Sequence, residues 1–326
     1  MRDHHSKLGL FIGLLAAGLL VAAPAFAAGP ENPKIDFIYP KTFEGVSLAA
    51  QMDAMTPAAN FSRLSVKLYG GYAHVLAGDV NDGADYYFEI LDYYAAEGFG
   101  TITGAYKPVH GGYDFGADLI YQFSPRFGVG VGVGYMRNSN NSVGTFAEGE
   151  ESVTLTSSAT LTALPIRLGL FYDAPISETL NLTLSAGASY YASLKFEGTQ
   201  GLEFSADEWE DMSLLATQRS GADIGFHGSL GFEYLFSPKV GFFVEAVGRY
   251  GKFKNFESVT GTVETSMGGA PETTEGMLYI YTETFEDTDF SGFSIVEPDD
   301  TPEAGAREPK IDLTGFSLRA GFRIRF

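Results

Sequence analysis

The triplet His227-Gly228-Ser229 has the clearest potential for catalysis in this sequence. A histidine base, a serine nucleophile and a carboxylate that orients the histidine can together hydrolyse an acyl bond. Glu245 lies one predicted strand later and supplies the carboxylate. Apolar residues such as Phe226 and Phe232 alternate with the histidine and serine, which therefore face away from the apolar side. The pattern favours an interior polar position, with the histidine near Arg249, over a catalytic site.

Two other groups have residue types that bind metals. His74 and His110 flank the first long connection, but a metal site normally has three or four ligands. Residues 79–85, DVNDGAD, resemble part of a calcium loop but lack its spacing and its terminal glutamate. We therefore predict polar rim positions for the histidines and a helix cap for the acidic segment, with no metal or cofactor site.

The residues after this acidic segment predict a short helix over 84–96. Tyr87, Leu91 and Tyr94 recur there at helical spacing, which gives the helix an apolar face. We expect it to lie on an outer rim, with its aromatic side chains turned toward the sheet or toward lipid.

These groups must be positioned by strands, because apolar and polar residues alternate with a period of two along most of the chain. The clearest example is 315–326, GFSLRAGFRIRF. Phe322, Ile324 and Phe326 share an apolar face, while Arg319 and Arg323 fall on the opposite face. This segment is therefore a strand with one apolar side and one polar side.

The same alternation predicts eight strands. Short turns follow the second, fourth and sixth strands, whereas the other four connections are long. Met277 to Phe285 and Phe290 to Val296 in the last, acidic connection also have strand character, so a ten-stranded sheet is the alternative. The eight predicted strands are 61–75, 111–123, 127–135, a strand ending with 164–172, 180–190, 222–236, 240–253 and 315–326.

The polar face of these strands carries charges of both signs. Because buried charges need partners, we predict that they form one paired network inside a closed sheet. The third strand has glycine at each inward position, which leaves room for long side chains from other strands. The alternative is a narrow ion path. The network is predicted to contain Arg63, Lys67, Asp114, Asp118, Arg167, His227, Glu233, Glu245, Arg249, Arg319 and Arg323.

Composition and the N-terminus restrict the cellular context. Residues 1–27 have a basic start, an apolar run and the small-residue site Ala25-Phe26-Ala27, as in a secretory signal peptide. Residues 28–60 are interrupted by prolines and predict a periplasmic or plug-like segment. The net charge of −20 argues against nucleic acid as a partner. The chain has no cysteine, and no other segment is apolar for long enough to form a membrane-spanning helix.

Residues 61–326 resemble the small outer-membrane β-barrels of Gram-negative bacteria, the OmpA/OmpX/OmpW-like family. The resemblance rests on three features: the eight strands of alternating apolar and polar residues, the regular alternation of short and long connections, and the aromatic residue at the end of the last strand. It implies an all-β, eight-stranded antiparallel transmembrane barrel with short periplasmic turns and long acidic external loops. It also implies that Phe322, Ile324 and Phe326 form the C-terminal signal read by the barrel-insertion machinery.

This family includes structural, adhesive, porin-like and enzymatic members, so the resemblance leaves the task open. We expect a non-enzymatic outer-membrane protein with a packed polar lumen, whose external loops serve envelope integrity or surface interaction. Its expected partners are outer-membrane lipid, lipopolysaccharide and divalent cations at the acidic loops. One alternative is a narrow channel for small or hydrophobic solutes. The other is a hydrolase that modifies lipid A, because His227 and Ser229 resemble the His-x-Ser motif of outer-membrane lipid A deacylases.

Overall fold

A computed structural model describes residues 62–205, 209–217, 224–254, 256, 258–266, 270–285 and 287–326. The predicted signal peptide and the segment 28–60 lie outside the described residues. The described part contains one helix, α1 (Asp79–Ala96), and fourteen strands. The strands are β1 (Leu64–Gly78), β2 (Thr101–Gly104), β3 (Gly111–Gln122), β4 (Phe127–Glu148), β5 (Glu151–Pro175), β6 (Leu180–Phe204), β7 (Trp209–Thr217), β8 (Ile224–Ser237), β9 (Val240–Tyr250), β10 (Lys252–Phe253), β11 (Ser258–Thr265), β12 (Glu272–Phe285), β13 (Thr288–Val296) and β14 (Ile311–Arg325).

Eight of these strands form a closed antiparallel ring. Its order is β1, β3, β4, β5, β6, β8, β9 and β14, and the pairing of β14 with β1 closes it. The eight strands predicted from alternation correspond to these eight members. The short connections after β3, β5 and β8 lie at one end of the ring, which we call the turn end, together with the start of β1 and the end of β14. Within the described residues, no helix has the length and apolar character needed to cross a membrane.

Alternation in the ring separates an apolar outer face from a polar inner face. Val129, Val131 and Val133 on β4 are exposed, while the glycines between them are buried. On β5, Leu168 is 62% exposed and Leu170 is 64% exposed, although a leucine is normally buried in a soluble protein. A continuous belt of such residues around a closed sheet is the surface that lipid covers.

Beyond the ring, the long strands β4, β5 and β6 continue and build a second part of the sheet. β7 pairs with the distal half of β6, and β11, β12 and β13 follow in that order. We call this part the head; it comprises α1, β2, β7, β11, β12, β13 and residues 139–163 and 191–204. The segments behind the ten-strand alternative are β12 and β13, which pair with each other and lie outside the ring. β12 also pairs with β11.

The head and the adjoining end of the ring share an apolar core. Phe196 on β6, Leu278 on β12 and Leu313 on β14 are all buried in it, and Ala84 of α1 packs there too. The long connections between ring strands therefore contain regular secondary structure, including the helix and the two strand-like segments that the sequence indicated. Short-range alternation did not reveal this core, because its members come from strands that are far apart in the chain.

Helix α1 begins at Asp79, five residues earlier than the sequence indicated. The Asp79 carboxylate accepts hydrogen bonds from Arg307 and from the backbone N–H of Lys310, at 2.6 Å for the latter. Acidic side chains in a first turn also interact favourably with the helix dipole. The start of the helix is thus fixed by residues more than 200 positions away, which local spacing cannot reveal.

Candidate functional site

The inner face of the ring holds a network of charged side chains. Register explains how residues far apart in sequence meet: Lys67 lies opposite Asp118 on β3 and opposite Arg323 on β14. Gly71 lies between Asp114 and Arg319 in the same way. Because alternate residues face inward, the charged residues that a strand contributes enter the lumen at intervals of two residues or more.

Near the head, Asp114 is the centre of the network. Its Oδ2 accepts hydrogen bonds from Arg319 Nη2 at 2.6 Å and from Ser317 Oγ at 2.6 Å. Arg249 Nη1 lies 3.6 Å from the same oxygen. Arg249 also donates to the carbonyl oxygen of His74 at 2.9 Å. One buried carboxylate therefore balances two arginines, and backbone carbonyls accept further hydrogen bonds from Arg249.

Two ion pairs cross the middle of the lumen. Lys67 Nζ lies 2.7 Å from Glu245 Oε2, and Arg167 Nη2 lies 3.0 Å from Asp118 Oδ1. Arg167 also donates to the hydroxyl of Tyr69. All four charged groups are buried, so each depends on its partner.

At the turn end, Arg323 joins two carboxylates. Its Nη1 lies 2.8 Å from Asp173 Oδ2 and 3.5 Å from Glu233 Oε2, and Arg325 pairs with the same Glu233 oxygen at 2.5 Å. Sequence reasoning missed Asp173 as a network member because it appeared to begin a turn. It also missed Tyr69 and Arg325, although each lies two residues from a predicted network member and therefore shares its inward-facing side of the strand.

Arg63 is not part of this network, contrary to the sequence prediction. β1 begins at Leu64, so Arg63 precedes the strand and its side chain is exposed. The prediction assumed that the alternation of inward and outward residues extends to Arg63, one residue before β1 begins.

The glycines of β4 provide the space that the network occupies. A Cβ at Gly132 would lie 1.9 Å from Asp118 Oδ1, and a Cβ at Gly130 would lie 2.7 Å from the Phe171 ring. One cavity of about 20 Å³ lies in the lumen, lined by charged residues of the middle pairs and by His227 and Ser229. This is close to the space of one water molecule.

The candidate catalytic groups border this cavity. His227 Nδ1 lies 2.9 Å from Ser189 Oγ, while Ser229 Oγ lies 2.7 Å from Ser185 Oγ. Ser229 also reaches Glu245 Oε2 at 3.5 Å. The serine is therefore next to the carboxylate, and the histidine hydrogen-bonds a different serine. A triad needs the histidine between the nucleophile and the carboxylate.

The other groups considered from sequence lie elsewhere. The rings of His74 and His110 are 5.2 Å apart at the head end of the ring. Among the described residues, no cluster of three or more histidines and carboxylates has metal-binding geometry. Phe322, Ile324 and Phe326 lie on the outer side of the last strand, and the backbone N–H of Phe326 donates to the carbonyl of Leu64 at 2.9 Å.

A second, larger cavity lies in the head. It has a volume of about 310 Å³, is open on one side, and is lined by α1 and by strands β5, β6, β7, β11, β12 and β13. Aromatic rings and small residues form much of its wall, including Tyr86, Tyr87, Phe196, Tyr281 and Phe293. Sequence reasoning did not find this cavity, since it depends on how α1 packs against strands from several distant parts of the chain.

Helix α1 also carries a row of carboxylates whose ionisation is perturbed. Burial, together with Glu89, Asp92 and Asp82, raises the pKa of Asp85 to about 7. Burial also raises the pKa of Asp82 and Glu89. For Asp79, burial acts in the same direction, but the hydrogen bonds from Arg307 and Lys310 outweigh it and lower the pKa.

Comparison with known proteins identifies the family. Residues 45–268 match the model of the outer membrane protein beta-barrel domain, which is more than half of the chain. The chain belongs to this family. The protein is therefore a β-barrel of the cell outer membrane, as the sequence resemblance indicated.

The solved structures that are similar to this chain are distant from it in sequence. OprG from Pseudomonas aeruginosa is 12% identical, with a TM-score of 0.34 over 82% of this chain and 98% of OprG. The outer membrane protease OmpT from Escherichia coli is 9% identical, with a TM-score of 0.38 over 83% and 99%. An outer membrane channel from Pseudomonas putida F1 is 8% identical, with a TM-score of 0.23 over 83% and 99%. No curated protein sequence matches the chain.

Proposed function

We propose that this protein is a non-enzymatic, non-conducting eight-stranded barrel that holds the folded head at the cell surface, where the head serves surface interaction or envelope integrity. The observation that carries the proposal is the filled lumen. Ion pairs at three levels cross the ring, and the cavity among the middle pairs has a volume of about 20 Å³. A hydrated ion needs a wider path, and moving a buried charge aside leaves its partner unpaired.

Conductance in planar bilayers tests this proposal against the alternative of a narrow channel. The wild type is expected to give no discrete conductance steps. The double variant Lys67→Ala/Glu245→Ala removes both charges of one luminal pair and is expected to produce small steps. The matched control is Asp79→Ala/Arg307→Ala, which removes an ion pair from the head and is expected to remain silent. Steady conductance by the wild type would overturn the proposal.

Orientation is the second part of the proposal. In barrels of this type, short turns face the periplasm and longer segments face outward, so the head is placed outside. The chain has no cysteine, which makes single-cysteine labelling specific. A membrane-impermeant maleimide should label Asp300→Cys on intact cells and should label Ser124→Cys, at the turn end, only after the outer membrane is opened. The reverse pattern would invert the assignment.

The proposal of a non-enzymatic role is supported by the positions of His227 and Ser229. Both border the enclosed lumen, away from the lipid-facing belt, and the histidine does not lie between Ser229 and Glu245. The test compares lipid A from cells with the wild type, with His227→Ala and with Ser229→Ala by mass spectrometry. Identical lipid A in all three is expected, and a modification that both variants abolish would establish the hydrolase instead.

The partners proposed for this protein follow from its surfaces. Outer-membrane lipid and lipopolysaccharide would contact the exposed apolar belt, and the insertion machinery would read Phe322, Ile324 and Phe326. Divalent cations are proposed to bridge exposed carboxylates such as Asp299 and Asp300 to lipopolysaccharide phosphates. Unchanged mobility of this segment on addition of calcium would count against that last contact.

A further inference from the structure

The head cavity has the size of a small-molecule site. At about 310 Å³ it lies at the lower end of the range for ligand pockets. An apolar cavity of roughly 150 Å³ already holds a benzene molecule. There is consequently room for one aromatic ring together with a compact headgroup.

Five aromatic side chains line this cavity, together with small, polar and aliphatic residues. The rings of Tyr86 and Tyr281 are 5.9 Å apart, Tyr86 and Tyr87 are 5.2 Å apart, and Phe196 and Phe293 are 5.4 Å apart. The face of an aromatic ring attracts a cation, and clusters of such rings bind quaternary ammonium groups. Ligands that present a methylated ammonium and an apolar body therefore suit this wall.

The charges around the cavity have one sign. Glu272 lines it, and Glu283 accepts a hydrogen bond from the Tyr86 hydroxyl at 3.2 Å. Burial, and after it the carboxylate of Glu210, raises the pKa of Tyr87. Among the described residues that line the cavity, none is lysine, arginine or histidine. An anionic ligand would meet only repulsion here, whereas a cation would be attracted.

Close packing at the base of the cavity holds its shape. A Cβ at Gly83 of α1 would lie 2.4 Å from the Phe293 ring, so this glycine lets the helix approach β13. Ser157 Oγ and Gln200 Nε2 each donate to the carbonyl oxygen of Ala84 at 3.2 Å. These bonds tie the helix to β5 and β6, and a preformed site loses less entropy on binding.

We propose that the head cavity binds a small organic cation with an apolar body, of the aromatic quaternary ammonium class. The rings of the wall contact the methyl groups and the apolar body, and the surrounding carboxylates add electrostatic attraction. This inference goes beyond the proposed function and does not depend on whether the lumen conducts. Its failure would therefore leave the conductance result unchanged.

The test is a calorimetric titration of the full-length protein in dodecyl maltoside, a detergent without charge. The probe is phenyltrimethylammonium, and the control ligand is tert-butylbenzene, which has the same shape without the charge. Benzoate serves as the anionic control. Each ligand is titrated into the wild type and into Phe293→Leu, so that partition into micelles cancels. The cation is expected to bind at least tenfold more tightly than either control, and equal binding of the cation and tert-butylbenzene would overturn the proposal.

Two variants locate the site. Phe293→Leu keeps an apolar side chain but removes a ring, and should weaken cation binding about tenfold. Its matched control, Phe99→Leu, removes an exposed ring that does not line the cavity and should bind as the wild type does. Equal affinity of these two variants would overturn the assignment to the cavity.

Glu272→Gln keeps the test decisive if Phe293→Leu fails to fold. Glu272 is exposed, so its neutralisation should leave the fold intact and should weaken cation binding about threefold. The weakening should disappear at high salt, because screening removes the attraction of an exposed carboxylate. Unchanged affinity at low salt would contradict the electrostatic part of the proposal.

Discussion

Arg319 and Asp114 are 205 residues apart in sequence, and their side chains meet in the lumen through two hydrogen bonds of 2.8 and 2.6 Å. They lie on β14 and β3, the two neighbours of β1, and the residue of β1 between them is Gly71. A glycine has no side chain, so the arginine reaches the carboxylate across this position. The closing strand of the ring is thereby joined to the rest of the lumen by charge as well as by backbone pairing.

We expect Asp114→Asn to be the most damaging single change in the lumen. It leaves the buried guanidinium groups of Arg249 and Arg319 without their shared carboxylate. Loss of one partner of a buried ion pair costs about 3–5 kcal/mol. Urea unfolding in lipid vesicles should show a lower midpoint for this variant. Asp300→Asn, at an exposed position, should unfold like the wild type, and equal midpoints for both variants would contradict the role given to Asp114.

A second prediction concerns the glycine wall of β4. In Gly132→Ala the new Cβ would clash with Asp118 Oδ1, so the carboxylate must move and its 3.0 Å pair with Arg167 must lengthen. We expect a loss of about 1–3 kcal/mol in the free energy of unfolding. The control is Gly248→Ala on β9, where a Cβ would have no heavy atom within 4 Å. Gly132→Ala with unchanged stability would show that the wall is not tightly filled.

Period-two alternation made the ring predictable, because a strand between lipid and a polar lumen must alternate at every residue. It placed Lys67, Glu245 and Arg319 on the inner face from sequence alone. It failed for Arg63, where the strand had not yet begun, and for Asp173, whose lumen position follows from β5 extending to Pro175. Alternation gives the face of a residue, but it does not give the ends of a strand.

The head was not predictable by the same means. β7 pairs with β11, which follows β8, β9 and β10 in the chain, and α1 begins where Arg307 and Lys310 meet Asp79. The cavity depends on the packing of Gly83 against Phe293, a contact between residues 210 positions apart. Local periodicity indicated the helix and the strand character of Met277 to Phe285 and Phe290 to Val296, but no local period encodes such distant contacts.

Removal of Phe326 tests the predicted insertion signal. The residue is 66% exposed on the outer side of β14, and its only described anchor in the ring is the backbone bond to Leu64. Loss of Phe326 should therefore strongly reduce the amount of folded barrel in outer-membrane fractions. The stability of the barrel that does fold should change much less. The measurement is the fraction that resists SDS until boiled, in membranes from cells. Refolding of the shortened purified chain into vesicles is the control and should proceed as for the wild type. If the shortened chain is depleted in cell membranes and also refolds poorly in vesicles, it has a folding defect. If it behaves like the wild type in both measurements, Phe326 is not an insertion signal.

Helix α1 should be more firmly held at pH 5 than at pH 8. Burial and the neighbouring carboxylates raise the pKa of Asp85 to about 7, whereas its ordinary value is about 4. Between these values the folded head holds a proton that the unfolded chain has lost, so stability falls as pH rises through this window and remains lower above it. The raised pKa values of Asp82 and Glu89 act in the same direction. The lowered pKa of Asp79 acts in the opposite direction, but only below about pH 4.

Hydrogen exchange over residues 79–96, corrected for the intrinsic effect of pH, measures this difference. Protection should decrease from pH 5 to pH 8 in the wild type, and Asp85→Asn should reduce the decrease, because an amide cannot ionise. Strands of the ring, such as β3, serve as the internal reference in the same experiment. Greater protection of α1 at pH 8 than at pH 5 would show that Asp85 is ionised at a lower pH than its burial indicates. In that case the carboxylates of the helix would be solvated rather than held against the head.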